Sequence, residues 1–132
     1  MIRILLADDY TIIRKGVRQI LTQAYPTAEF EEIEEGEEWS DKLKDTPWDI
    51  IISDLPGPDR GGWASLQQIR QNYPDLPLLI LSLYTRENDV IRALQAGAAG
   101  YLGKDAAPDE LVWAVRQILA GKKYMAIPAG QN

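Results

Sequence analysis

Four polar signals stand at the downstream ends of four apolar runs in this chain: Asp8-Asp9, Asp54, Ser82 and Lys104. The runs before them are Ile4–Ala7, Ile50–Ile52, Leu78–Leu81 and Ala98–Leu102. If these runs are parallel strands of one open sheet, their carboxyl ends line a single crevice, where ligands of such sheets bind. Three carboxylates, a hydroxyl and an ammonium would then meet, although they span residues 8 to 104. Carboxylates held about 4 Å apart repel by roughly 4 kcal/mol at an effective dielectric near 20. Such a cluster persists only where a cation, a lysine or protonation offsets the repulsion. Lys104 and a bound Mg²⁺ are the natural candidates, and Mg²⁺ completes its shell with waters and a phosphoryl oxygen.

Asp54 can serve as the nucleophile, since an aspartyl carboxylate accepts a phosphoryl group to form an acyl phosphate. Phosphoryl transfer rests on in-line positioning and charge stabilisation, so it does not require a histidine. Mg²⁺ would neutralise one side of the phosphoryl group and Lys104 another, while the Ser82 hydroxyl donates to a third oxygen. Taken singly, an Asp at a strand end is more often a helix cap, Ser82 a turn residue and Lys104 a surface charge. Their joint order gives them meaning.

The elements that must position these residues are legible from periodicity. Apolar runs alternate with segments of helical period, the pattern of a parallel sheet covered on both faces. Ile13, Val17, Ile20, Leu21 and Ala24 mark a first helix that Pro26 ends. A short strand follows around Ala28–Glu32, then a helix carrying Trp39 and Leu43 that closes before Pro47. The third strand is expected at Asp49–Ser53, with Leu66, Ile69 and Tyr73 on the helix after it. A fourth strand lies between Pro77 and Ser82, before a helix marked by Val90, Ile91 and Leu94 and stopped at Gly97. The last helix opens at Pro108, carries Leu111, Val112, Val115, Ile118 and Leu119, and stops at Gly121. Five βα units with right-handed crossovers predict a doubly wound α/β sandwich of three layers.

Composition narrows the chemistry. The chain has 132 residues, enough for one domain, and no cysteine or histidine. Any metal must therefore be oxygen-ligated, which favours Mg²⁺, with Mn²⁺ or Ca²⁺ as alternates, over Zn²⁺. A net charge of −6 argues against direct binding to nucleic acid, which needs a basic face. No apolar stretch reaches the ~18–20 residues of a membrane span, and the start reads as a strand rather than a signal peptide, so a cytoplasmic protein is expected. Seven of the ten residues Glu29–Glu38 are glutamate. The plainer reading of that run is a charged edge strand leading into a helix start; the other is a docking surface or cation trap.

At this point the residues resemble a known family. Leu6-Ala7-Asp8-Asp9, Ile52-Ser53-Asp54-Leu55-Pro56-Gly57-Pro58, Leu81-Ser82 and Gly100–Asp105 are similar to the motifs of the receiver domain of bacterial two-component response regulators. Lys104–Leu111, with Gly121-Lys122-Lys123-Tyr124, looks like the NarL/FixJ-type subgroup, whose output is a LuxR-like helix-turn-helix. The resemblance covers essentially the whole chain. It implies a flavodoxin-like fold with a five-stranded parallel sheet of order 2-1-3-4-5 and five helices. It implies a receiver over residues 1–121, with 122–132 beginning a linker to a DNA-binding domain outside this chain.

The resemblance further implies that Asp54 is the phosphoacceptor, served by the phosphohistidine of a sensor histidine kinase. Asp9 and Asp54 would bind Mg²⁺ directly, Asp8 through water and Pro56 by its backbone carbonyl. Ser82 and Lys104 would contact the phosphoryl oxygens, and Tyr101 would be the switch aromatic, turning inward as Ser82 moves toward the phosphate. Homodimerisation on phosphorylation is implied too, with readout through the fourth helix, fifth strand and fifth helix or through the first and fifth helices. Such a chain is a switch rather than a turnover enzyme: it takes a phosphoryl group from a donor and loses it slowly by itself.

Some residues depart from the family pattern. Gly57 stands where a methionine is usual, within Pro56-Gly57-Pro58, and Tyr10 replaces the usual His or Phe after the acidic pair. Leu83 and Tyr84 are bulkier than is common after Ser82. Leu83, Tyr84 and Pro56 are expected to restrict water and slow loss of the phosphoryl group. Two other functions use the same crevice. A Mg²⁺-dependent phosphohydrolase would want an acid two residues after its nucleophile, but Pro56 is there. A flavodoxin-like mononucleotide module would want a Ser/Thr/Gly-rich loop after the first strand, where Asp8-Asp9-Tyr10 has the wrong charge.

Overall fold

The computed structural model describes residues 2–7, 11–33, 39–44, 46–54, 62–82 and 86–125. Among the described residues six strands form one sheet: β1 (Arg3–Ala7), β2 (Glu29–Glu32), β3 (Ile50–Asp54), β4 (Leu78–Ser82), β5 (Gly100–Gly103) and β6 (Tyr124–Met125). Every pairing is parallel, in the order β2-β1-β3-β4-β5-β6. The helices between them are α1 (Thr11–Ala24), α2 (Trp39–Lys44), α3 (Gly62–Asn72), α4 (Glu87–Gln95) and α5 (Pro108–Leu119). The expected five-strand order holds and gains β6, from the stretch expected to begin a linker. The third strand sits one residue later than expected, so Asp54 is its last residue rather than the one after it.

Alternation along each central strand feeds two cores. Ile4, Leu6, Ile50, Ile52, Leu79, Leu81 and Leu102 face α1 and α5, where Val17, Leu21, Leu111, Val115 and Ile118 complete the cluster. Leu5, Ile51, Leu78, Ile80 and Tyr101 project to the other side against Leu43, Leu66, Ile69, Val90 and Ala93 of α2, α3 and α4. Both sides are apolar because both are covered, which is why these strands read as unbroken Ile/Leu runs. Several of these side chains are fully buried, each worth roughly 1.5–3 kcal/mol relative to exposure.

The helix ends follow their sequence signals. α5 opens with Pro108 in its first turn, where a missing N–H costs nothing. α4 and α5 both close on Schellman motifs with a left-handed glycine. Gly97 (φ 97°) donates to the Leu94 carbonyl and Ala98 to that of Ala93, while Gly121 (φ 88°) donates to Ile118 and Lys122 to Gln117. Gly97 also carries the stem of Arg70: a Cβ there would lie 2.6 Å from the Arg70 Cδ, so α3 packs closely on the end of α4. On α4 the buried stripe is Val90 and Ala93. Ile91 and Leu94, which with Val90 mark this helix in the sequence, flank that stripe and are 43% and 40% exposed. One step of ~100° along a helix is enough to leave the covered face.

At the edge, the described part of the glutamate run is a charged strand. Glu29 pairs with Arg3 at 3.2 Å, Glu32 with Arg14 at 3.8 Å and Glu31 with Lys42 at 3.9 Å. An exposed pair such as Arg3–Glu29 adds little stability, but together the three keep the sheet edge charged. Residues 34–38, the rest of the run, lie outside the described residues.

Candidate functional site

Register decides which strand ends meet. Ala7, the last residue of β1, is level with Ser53; Asp54 is level with Leu81; and Ser82 is level with Gly103. The ends of β1, β3, β4 and β5 therefore finish at one edge, next to the reversal of strand order between β1 and β3 where crevices open in such sheets. Immediately beyond β5, the Lys104 amide donates to the Ser82 carbonyl at 2.9 Å. Asp54, Ser82 and Lys104 are thus brought to neighbouring strand ends from residues 54, 82 and 104 of the chain. Asp8, Asp9 and Pro56, the other expected metal contacts, lie outside the described residues, as do Tyr10, Gly57, Pro58, Leu83 and Tyr84.

Ser82 is 2% exposed, as is Tyr101. Ile80 is level with Tyr101 on β5, and Ser82 is two residues beyond Ile80, so Ser82 and Tyr101 share a face of the sheet. The expected switch pair is therefore on one side, with Tyr101 buried in the cluster that also holds Leu78, Ile80, Val90 and Ala98. Lys104 is only partly buried and lines a small apolar cleft of about 120 Å³ with Ile12, Val17, Leu81, Leu102 and Leu111. That places its backbone firmly at the crevice while its side chain keeps access to the surface.

A second serine is buried beside the crevice, one to which the sequence motifs assign no role. Ser53 is 2% exposed and stands between Ile52 and Asp54. A hydroxyl closing a triple-isoleucine run was the available signal, because a buried hydroxyl needs a hydrogen-bond partner. Trp113, which sits between core positions on α5, is half exposed, and a groove beside it between α1 and α5 is lined by Ile20, Ala24, Val112 and Arg116. Ile12 on α1 is the most exposed large apolar residue among those described, at 79%.

The profile of the response regulator receiver domain matches residues 4–116, which takes in β1 through most of α5. The chain belongs to the response regulator receiver domain family. It is 33% identical over all 132 residues to the response regulator UvrY of Escherichia coli K12, and 30% identical over the same length to GacA of Pseudomonas viridiflava. It covers 61% and 62% of those proteins, so the chain spans about three fifths of the curated relatives it matches. Among solved structures, a LuxR-family two-component response regulator from Aurantimonas sp. SI85-9A1 is 34% identical with a TM-score of 0.80, over 93% of this chain and 88% of that one. The signal receiver domain of the NarL response regulator from Mycobacterium tuberculosis is 27% identical with a TM-score of 0.77, over 92% and 98% of the two chains. These relatives are signalling proteins, and the phosphohydrolase and mononucleotide readings are not favoured. Among the described residues no helix is long and apolar enough to cross a membrane.

Proposed function

We propose that this receiver domain is a phosphorylation switch with Asp54 as its acceptor. The supporting observation is the join between β4 and β5: the Lys104 amide bound to the Ser82 carbonyl, one strand over from Asp54. A carboxylate oxygen of Asp54 attacks the phosphorus of a phosphohistidine, the P–N bond breaks, and its electron pair returns to the imidazole of a sensor histidine kinase. Lys104 offsets charge on the transferred group and the Ser82 hydroxyl donates to one of its oxygens. Gaining roughly 1.5–2 negative charges biases the β4–β5 end and the Tyr101 rotamer, which carry the signal outward.

The donor chemistry fits Mg²⁺, with Mn²⁺ as a substitute, since the chain offers only oxygen ligands there. Asp9, Asp54 and the Pro56 carbonyl would hold the ion, with Asp8 reaching it through water. When bound, it neutralises charge on the phosphoryl oxygens.

Residues 1–121 act as the receiver, and 122–132 lead toward a DNA-binding output domain, so that phosphorylation in the cytoplasm regulates transcription. The three-fifths coverage of UvrY and GacA supports a longer protein. Half-exposed Trp113 beside the α1–α5 groove, with Ile91 and Leu94 on α4, supports pairing of activated copies.

The test is incubation with Mg²⁺ and acetyl phosphate, read by intact mass. The wild-type chain should gain one phosphoryl unit, Asp54→Asn none, and chelation of the metal should stop the gain. A wild-type chain that never gains mass overturns the assignment.

A further inference from the structure

The receiver reading gives no task to β6, yet this two-residue strand touches the part of the molecule that must switch. Tyr124 is level with Gly100 and Met125 with Tyr101. The Tyr124 amide donates to the Ala99 carbonyl at 2.9 Å, and its phenol donates to Glu110 Oε2 of α5 at 3.2 Å. Gly100 lets the strand approach this closely, because a Cβ there would stand 3.0 Å from the Tyr124 carbonyl oxygen. Matched residues of a parallel pair project to the same face, and Met125 packs against the same cluster that holds the Tyr101 ring. Since β6 is the outermost strand, Met125 stands between that ring and the open edge of the sheet.

We propose that β6 is a latch over the switch aromatic. Docked β6 closes the outward side of Tyr101, and an inward Tyr101 gives Met125 the surface it packs on, so each favours the other. The proposal rests on the reading of Tyr101 and Ser82 as the switch pair. Whatever holds Ser82 toward the phosphoryl site and Tyr101 inward also holds β6 down, which transmits the state of the crevice to the residue where the chain leaves the sheet. Coupling of this kind is reciprocal: loosening β6 must weaken binding at the phosphoryl site by the same factor.

The measurement is amide hydrogen exchange by NMR on the 132-residue chain, with and without beryllofluoride and Mg²⁺ as the phosphoryl stand-in. Protection of the Tyr124 amide should rise about fivefold on binding, at the low end of allosteric couplings. Met125→Ala should raise the apparent Kd for beryllofluoride by a similar factor, and Tyr124→Phe, which keeps the ring and loses the bond to Glu110, should do so more weakly. In Tyr101→Leu, beryllofluoride should still bind while the response at Tyr124 disappears. If beryllofluoride shifts the Ser82 and Lys104 amides but leaves Tyr124 protection unchanged, the latch is wrong and the receiver reading stands. If no amide responds, both fall.

Discussion

The backbone of Lys104 is fastened to that of Ser82: the Lys104 amide donates to the Ser82 carbonyl at 2.9 Å, one step past the last level pair of β4 and β5. Two side chains of opposite roles, an ammonium and a hydroxyl, are thereby set a strand's width apart. The main chain at both residues is fixed by this bond, so only side-chain movement is needed when a phosphoryl group arrives.

Lys104→Ala should leave the fold intact, because the hydrogen bond uses the backbone and the side chain is only partly buried. Loss of one preorganised charge partner typically costs 10²–10³ in rate. The initial rate of mass gain from acetyl phosphate should fall by about that factor, with the thermal midpoint nearly unchanged. A rate within threefold of wild type would remove Lys104 from the site.

Tyr84→Ala addresses retention of the phosphoryl group. The bulk of Tyr84 directly after Ser82-Leu83 is expected to keep water from the acyl phosphate. The half-life of the phosphorylated chain, followed by mass after donor removal, should shorten severalfold. An unchanged half-life would count against shielding by this residue.

Two glycines should respond to alanine with opposite signs. Gly16 lies within α1, and a Cβ there meets nothing within 4 Å, so Gly16→Ala should stabilise by ~0.5–1 kcal/mol through helix propensity. At Gly100 a Cβ would come within 2.6 Å of Ile118 Cδ1 and 2.8 Å of Leu79 Cδ1. Overpacking of a filled core costs about 1–3 kcal/mol, so Gly100→Ala should lower the urea midpoint while Gly16→Ala raises it.

Tyr124 provides a pH signature. Burial, then the charge of Glu110 and the hydrogen bond to it, raise the phenol above its ordinary value. A raised folded pKa means this group's contribution is complete below the unfolded tyrosine value of about 10 and is lost as pH climbs through the folded value. Phenolate absorbance, taken as the difference between wild type and Tyr124→Phe, should titrate above 10. β6 should loosen over the same range, and a difference titrating at or below 10 would contradict the contact with Glu110.

Much of this was legible beforehand because the central strands obey a simple rule. Ile4–Leu6, Ile50–Ile52 and Leu78–Leu81 are buried on both faces, so their apolar runs marked the sheet, and the polar residues that follow them its strand ends, directly. Gly97 and Gly121 announced their helix ends because only glycine takes a left-handed backbone cheaply. Less legible were Ile91 and Leu94, since an apolar residue beside the buried stripe carries the same letters as one inside it. β6 was invisible for another reason. Two residues have no periodicity, and their pairing depends on Gly100 making room, a fact that exists only once β5 and α5 are packed.

Crossover topology also fixes a timetable. Because Ile4, Leu6, Ile50 and Ile52 of β1 and β3 pack on α5 as well as α1, a chain emerging from the ribosome cannot complete this core until Lys104, the partner of Ser82, has also emerged. Competence to hold a phosphoryl group would arrive only with residue 104, and the strand that reports it later still. A chain cut short before Lys104 would then lack both its packed core and its phosphoryl contact, so folding and competence arrive together.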